Sequence, residues 1–261
     1  EDDFTLDPKS IEAKITDKTV AILPVHILGN VSDVEAIEAI AKKHHLKVIY
    51  DAAHVFGIKL NGVGVGNFGD ASMFSMNATK VFNTIEGGLL TYKDQALTKK
   101  LELIKYYGME SSEDITYIGS NLKMNEFQAA MGLCNLPLLN QEIALRKAIA
   151  HKYGEELSKI DGIKVPSYKP NIEYNYSYFP ILINHPTISR DEVFDYLKEK
   201  GINAKKYFYP LVTDYACYKG KYDDNLPVSR MISEQVLCLP LYGDMTEEEV
   251  SDVISAFNQQ F

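Results

Sequence analysis

Apolar residues follow two rhythms along this chain. In TVAILPV (19–25), LKVIYD (46–51), ASMFS (71–75) and GGLLTY (87–92) they form short, nearly continuous runs. In DVEAIEAIAKKHH (33–45) and DQALTKKLELIKYYG (94–108) they recur three and four positions apart. Short apolar runs predict strands and the wider spacing predicts amphipathic helices. Their alternation predicts a largely parallel sheet covered by helices on both faces. Asp33 precedes the first helix as its cap, Gly108 ends the second, and Asp7-Pro8 marks a helix entry near the start.

From about Met124 the rhythm changes. NEFQAAMGLCNLPLLNQEIALRKAIAHKYGEELSKI predicts a long helix, bent or interrupted at Pro137. After Gly162 a smaller α+β pattern follows: strand YSYFPILI, helix SRDEVFDYLKEKG capped by Ser189, strand QVLCLPL and helix TEEEVSDVISAF capped by Thr246. The expected division is residues 1–140 as a large domain and 141–261 as a small one. No internal repeat or low-complexity stretch appears.

The 261 residues can bury a sizeable core. A net charge of −9 argues against general nucleic-acid binding, which needs a basic face to release counterions. No apolar run reaches membrane-spanning length and no signal-like segment is visible. Cys134, Cys217 and Cys238 are odd in number and far apart, as in a cytosolic protein, and suggest neither a disulfide frame nor a metal site.

Three residues beyond the strands could carry chemistry. Asp51 ends a strand at the edge where α/β proteins bind ligands, although a lone aspartate there more often caps the next turn. His54 and Lys80 are equally ordinary when taken singly. GVGNFG (64–69) has dinucleotide-loop spacing, but the glycines precede a strand where the mechanism needs a helix N-terminus. A hairpin-like connection accounts for them better.

Taken together, Asp51-Ala52-Ala53-His54, Gly69-Asp70, Phe74-Ser75, Thr79-Lys80 and Glu86-Gly87-Gly88 resemble, in order and spacing, the signature of the DegT/StrS sugar aminotransferases. GSNLKMNEFQAAMG and VLCLPLYGDMTEEEV are similar to later segments of that family, so the resemblance covers essentially the whole chain. It implies the fold of type I pyridoxal-phosphate (PLP) enzymes, with a mostly parallel sheet in the large domain and a smaller C-terminal α+β domain. It implies Lys80 as the amine that joins the cofactor and shuttles a proton, and Asp51 as the partner of the pyridine nitrogen. His54 would lie close to the ring, Ser75 would anchor the phosphate, and Asn121 would reach the phosphate of a neighbouring subunit, hence a homodimer with shared sites.

The implied reaction moves an amino group from glutamate to a nucleotide-linked keto sugar, for amino-sugar or surface-polysaccharide synthesis. DAAHVFG and ATKVFNTIEGG resemble enzymes that aminate C4 of a dTDP-4-keto-6-deoxyhexose; C3-aminating relatives share the scaffold. KKYFYPL (205–211) is similar to the substrate-side loop and makes Lys205, Lys206 and Tyr207 candidate contacts, with Val212 where the family often has a histidine. The resemblance also implies a further N-terminal portion carrying a Gly-Thr phosphate loop. The chain is therefore expected to be a fragment with weakened cofactor affinity and an exposed sheet edge or apolar face. The competing expectation is a non-catalytic remnant that dimerises or binds a nucleotide sugar.

Overall fold

The structure is a computed structural model that describes residues 3–221 and 225–261. Helix α1 (Pro8–Glu12) starts at Asp7, whose carboxylate accepts from the Lys9 amide. Strand β1 (Ala21–Ile22) is followed by α2 (Val34–His44), β2 (Lys47–Asp51), the hairpin β3 (Lys59–Leu60) and β4 (Val63–Gly64), β5 (Ala71–Ser75) and β6 (Gly88–Tyr92). The main sheet runs β1-β2-β5-β6, with the first two pairings parallel and β5–β6 antiparallel. The run TVAILPV thus yields only two ladder residues and a bridge from Val25 to Asp51. Pro24 interrupts it, having no amide hydrogen to give.

Helix α2 forms where the sequence places it. Asp33 caps the Ala36 amide, Val34, Ile37 and Ala41 share the buried stripe, and His45 ends the helix in the left-handed region at φ 56°. Ile37 is fully buried, which contributes roughly 1.5–3 kcal/mol. The stripe packs on the face of the sheet that carries Ile22, Val48, Tyr50 and Phe74. The opposite face is open. Ile49, Met73 and Leu90 share it through the strand register and are about 40% exposed. Coverage of both faces is therefore not what the described residues show.

Helices α3 (Thr98–Lys105), α4 (Glu126–Asn135) and α5 (Leu139–Leu157) follow. The long helical stretch is interrupted at Pro137, where Leu136–Leu138 tighten into a 3-10 turn between α4 and α5. Strands β7 (Ile163–Lys164), β8 (Ile172–Glu173) and β9 (Phe179–Ile183), helices α6 (Arg190–Glu199) and α7 (Pro227–Gln235), strand β10 (Val236–Leu239) and helix α8 (Glu247–Gln260) complete the chain. Ser189 and Thr246 form capping boxes with Glu192 and Glu249, as their spacing predicts. The second sheet runs β10-β9-β7, and all five residues of β9 are buried. Pro180 is tolerated there because its partner Cys238 exchanges both backbone hydrogen bonds with Lys205 on the other side.

One core gathers residues between Ile11 and Phe74, and another gathers residues between Ile149 and Phe257. A third small sheet, β4-β3-β8, ties the two halves of the chain together. No helix of the described residues is long and apolar enough to cross a membrane.

Candidate active site

The GVGNFG segment is no dinucleotide loop, but neither is it the hairpin turn itself: it follows the hairpin and joins β4 to β5. Asn61 and Gly62 turn β3 into β4, both at positive φ, and a 3-10 turn (Val65–Asn67) leads to β5 with no helix between. Gly69 sits at φ +67°, and an added Cβ would lie 2.9 Å from the Tyr50 ring and from the Val48 carbonyl. Only glycine fits so close a turn. Beside it the Asp70 carboxylate accepts from the Val48 amide at 2.9 Å and from Lys47 Nζ at 2.8 Å, which fixes the start of β5 against β2. The Gly-Asp pair is thus a register device.

Parallel pairing of β2 with β5 sets Asp51 opposite Met73 and leaves Ser75 one pleat further along the same face. Both side chains are half-buried at the carboxyl end of the open face. Asp51 does cap the next turn, since its Oδ1 accepts from the Ala53 amide at 3.0 Å. Ser75 Oγ accepts from the Asn77 amide at 3.3 Å.

The segment between β5 and β6 holds Lys80. Asn77 Oδ1 accepts from the amide and hydroxyl of Thr79, its carbonyl takes the Lys80 amide, and its Nδ2 reaches Glu86 at 2.7 Å. These bonds turn SMNATKVFNTIEGG into a braced loop rather than a loose one. Lys80 is half-buried, and burial lowers its pKa against the opposing pull of the Asp51 carboxylate. The two groups therefore feel each other's charge.

His54 is neutral near pH 7. Burial, and after it the charge of Lys80, push it down to about 4. Its Nδ1 accepts from the Leu28 amide at 3.0 Å, so the ring proton is on Nε2. The ring stacks on Phe208 at 5.8 Å between centroids and meets the edge of Tyr178 at 4.9 Å. Tyr178 Oη is 3.4 Å from Lys80 Nζ.

Sequence reasoning missed the segment that arranges this cluster, Asn175 to Tyr178. Asn175 is 1% exposed; its Nδ2 donates to the carbonyls of His54 and Phe56, both at 3.0 Å, and its Oδ1 accepts from the Ser177 amide. Ser177 Oγ also donates to the His54 carbonyl, at 2.9 Å. Gly29 sits against this clamp at φ +90°, and a Cβ there would lie 2.9 Å from Ser177 Oγ. The available signal was the alternation YNYSY before a fully apolar strand, which reads only as a strand with one polar side.

Of the expected site residues the structure brings together Asp51, His54 and Lys80, with Ser75 at the end of the neighbouring strand. Tyr207 joins through Tyr178, their rings meeting edge to face at 5.8 Å. Lys206 is turned to Asp191 at 2.5 Å and covers the Phe194 ring, while Lys205 is exposed and works through its backbone bridge to Cys238. Asn121 stands apart, exposed, in a bridge with Tyr106 at the end of α3.

Residues 1–258 match the profile of the DegT/DnrJ/EryC1/StrS aminotransferase family. The chain belongs to this family. It is 39% identical over 254 residues to the dTDP-4-amino-4,6-dideoxy-D-glucose transaminase of Shigella dysenteriae, covering 96% of this chain and 69% of that one. It is 32% identical over 257 residues to the dTDP-3-amino-3,6-dideoxy-alpha-D-galactopyranose transaminase of Aneurinibacillus thermoaerophilus, covering 98% and 69%. Among solved structures it resembles DesI in the presence of its TDP-sugar product, with a TM-score of 0.91, 29% identity, and coverage of 98% of this chain and 66% of that one. The chain spans about two thirds of the length of these relatives. The fold is accordingly that of the type I PLP-dependent sugar aminotransferases.

Proposed function

We propose that the protein is a PLP-dependent transaminase that moves an amino group from glutamate to C4 of a dTDP-linked 4-keto-6-deoxyhexose. The observation that carries this reading is that Asp51 ends the parallel strand β2, His54 follows it, and Tyr178 touches both the Lys80 amine at 3.4 Å and the His54 ring at 4.9 Å. The donor set suits the cofactor: a strand-end carboxylate for a ring nitrogen, an amine for an aldehyde and the Ser75 hydroxyl for a phosphate. When bound, PLP supplies the aldehyde and a ring that draws electrons from the reacting carbon.

The chain's own residues supply the rest. Burial makes the neutral amine of Lys80 accessible, so that it can take a proton from the substrate carbon and return it as acid. The Asp51 carboxylate acts on it in the opposite direction, favouring the charged form. His54, neutral and pinned by the Leu28 amide and the Asn175–Ser177 clamp, presents a flat apolar face with no charge competing with that of Lys80. Between residues 106 and 138, Tyr106, Ile118, Phe127, Leu133 and Leu138 are exposed. An apolar stretch of this extent supports an interface between two copies, with Asn121 inside it as the side chain to cross to the neighbour.

The choice of C4 rests on the 39% identity to the 4-amino transaminase against 32% for the 3-amino one. The test is incubation with PLP, glutamate and dTDP-4-keto-6-deoxyglucose. A dTDP-4-amino-4,6-dideoxy sugar should form, and Lys80→Ala should abolish it. Capture of PLP at Lys80 on borohydride reduction without any amino sugar would instead indicate a binding remnant.

A further inference from the structure

We infer that the Tyr178 hydroxyl orients the Lys80 amine whenever that amine is free, a positioning role that rests on the reading of Lys80 as the reactive lysine. A lysine on a four-carbon stem is mobile unless its head group is held. The hydrogen bond that the structure gives this head group is to Tyr178 Oη, at 3.4 Å.

Tyr178 is suited to follow the amine through both protonation states. Burial, with the neighbouring Tyr207 and Cys238 behind it, pushes its phenol up to about 12. At neutral pH the oxygen therefore accepts from an ammonium, and its proton can be donated to a neutral amine. The ring itself is fixed. It meets His54 at 4.9 Å and Tyr207 at 5.8 Å, both edge-on, and its backbone leads directly from the Ser177 clamp into β9. The C-terminal half of the chain thus reaches the reactive amine of the N-terminal half through this oxygen and its ring.

A hydrogen bond from an ionised donor is about twice as strong as a neutral one, so Tyr178 favours the ammonium and opposes the effect of burial on Lys80. Tyr178→Phe keeps the ring and its edge contacts and removes only the oxygen. The measurement is competitive acetic anhydride labelling of the cofactor-free full chain between pH 6 and 11, read by mass spectrometry at Lys80 with the exposed Lys18 as internal standard. The labelling midpoint of Lys80 should fall by about half a unit in Tyr178→Phe while that of Lys18 stays put. An unchanged Lys80 midpoint overturns the inference. Should the phenylalanine variant fail to fold, 3-fluorotyrosine in place of Tyr178 keeps the oxygen but weakens it as an acceptor. A smaller fall in the same direction is then expected, and no fall overturns the inference equally. Failure of the parent reading looks different: PLP followed by borohydride would modify Lys80 no faster than Lys18 in the unaltered protein.

Discussion

Replacing Asn175 by alanine removes three hydrogen bonds at a site with almost no access to water: two donated to the carbonyls of His54 and Phe56, and one accepted from the Ser177 amide. The His54 carbonyl keeps the Ser177 hydroxyl at 2.9 Å, so its loss is partial. The Phe56 carbonyl and the Ser177 amide lose the partners Asn175 gave them. Each buried group so stranded costs about 1–3 kcal/mol, and some relaxation is available, so the expected destabilisation is about 2–4 kcal/mol. Asn175→Asp should be worse than alanine at neutral pH, because it turns a carboxylate oxygen toward two carbonyls that require a donor. Its deficit relative to the parent should shrink as the pH falls and the carboxyl gains a proton to donate. Ser177→Ala should cost only about 1 kcal/mol, since Asn175 still serves the same carbonyl. Urea unfolding of the three variants, each compared with the parent at the same pH, reads these differences directly. If alanine and aspartate at 175 both unfold within about 0.5 kcal/mol of the parent, this segment does not hold His54 in place.

Other perturbations follow from the same contacts. His26 is fully buried, stacked on Tyr50 at 4.5 Å, and burial holds it down to about 4. The unfolded chain then binds a proton near pH 6.5 that the folded chain refuses until about pH 4. The contribution of His26 is therefore full above pH 6.5 and declines as the pH drops toward 4, by at most about 1.4 kcal/mol per unit, and His54, held down to about 4 in the same way, adds a share of its own. Urea midpoints should show the combined slope, and His26→Asn should make it shallower while leaving the share of His54; a curve parallel to the parent's would refute the assignment. Asp51→Asn removes the charge that raises Lys80, so the Lys80 labelling midpoint should fall, and a rise would contradict the geometry. The Arg190 guanidinium donates to the Ser233 and Val236 carbonyls at 2.9 and 3.0 Å and lies 4.8 Å over the Tyr209 ring. Both carbonyl bonds come from Nη1 while Nε donates to Asp191 at 2.6 Å. A single lysine nitrogen cannot hold the carbonyls and Asp191 at once or lie flat on Tyr209, so Arg190→Lys should lower stability by about 2–3 kcal/mol in thermal or urea unfolding, whereas the exposed Lys42→Ala should stay within about 0.5 kcal/mol.

Much of the fold is legible in the sequence because its signals are local. Asp33, Ser189 and Thr246 each start a helix through a side chain that reaches an amide two or three residues on. Pro137 interrupts a helix through its own missing hydrogen, and GVGNFG is excluded as a dinucleotide loop because a strand, not a helix, follows it. Asp51 and Lys80 were singled out by their resemblance, in order and spacing, to a family signature, because taken singly each reads as an ordinary turn or surface residue.

What lay beyond the sequence depends on residues far apart along the chain. Nothing near Lys80 indicates that a tyrosine 98 positions later will touch its amine. Nothing near His54 shows that Asn175 will hold its carbonyl, or that Lys206, adjacent to the useful Tyr207, will turn away to Asp191. Periodicity tells which side of an element is apolar, but not what meets it, and so it could not show that one face of the main sheet stands open. Local spacing determined which residues reach the carboxyl edge of the sheet. Only the packing of the second half of the chain against the first decided which of them share a proton, a carbonyl or a charge.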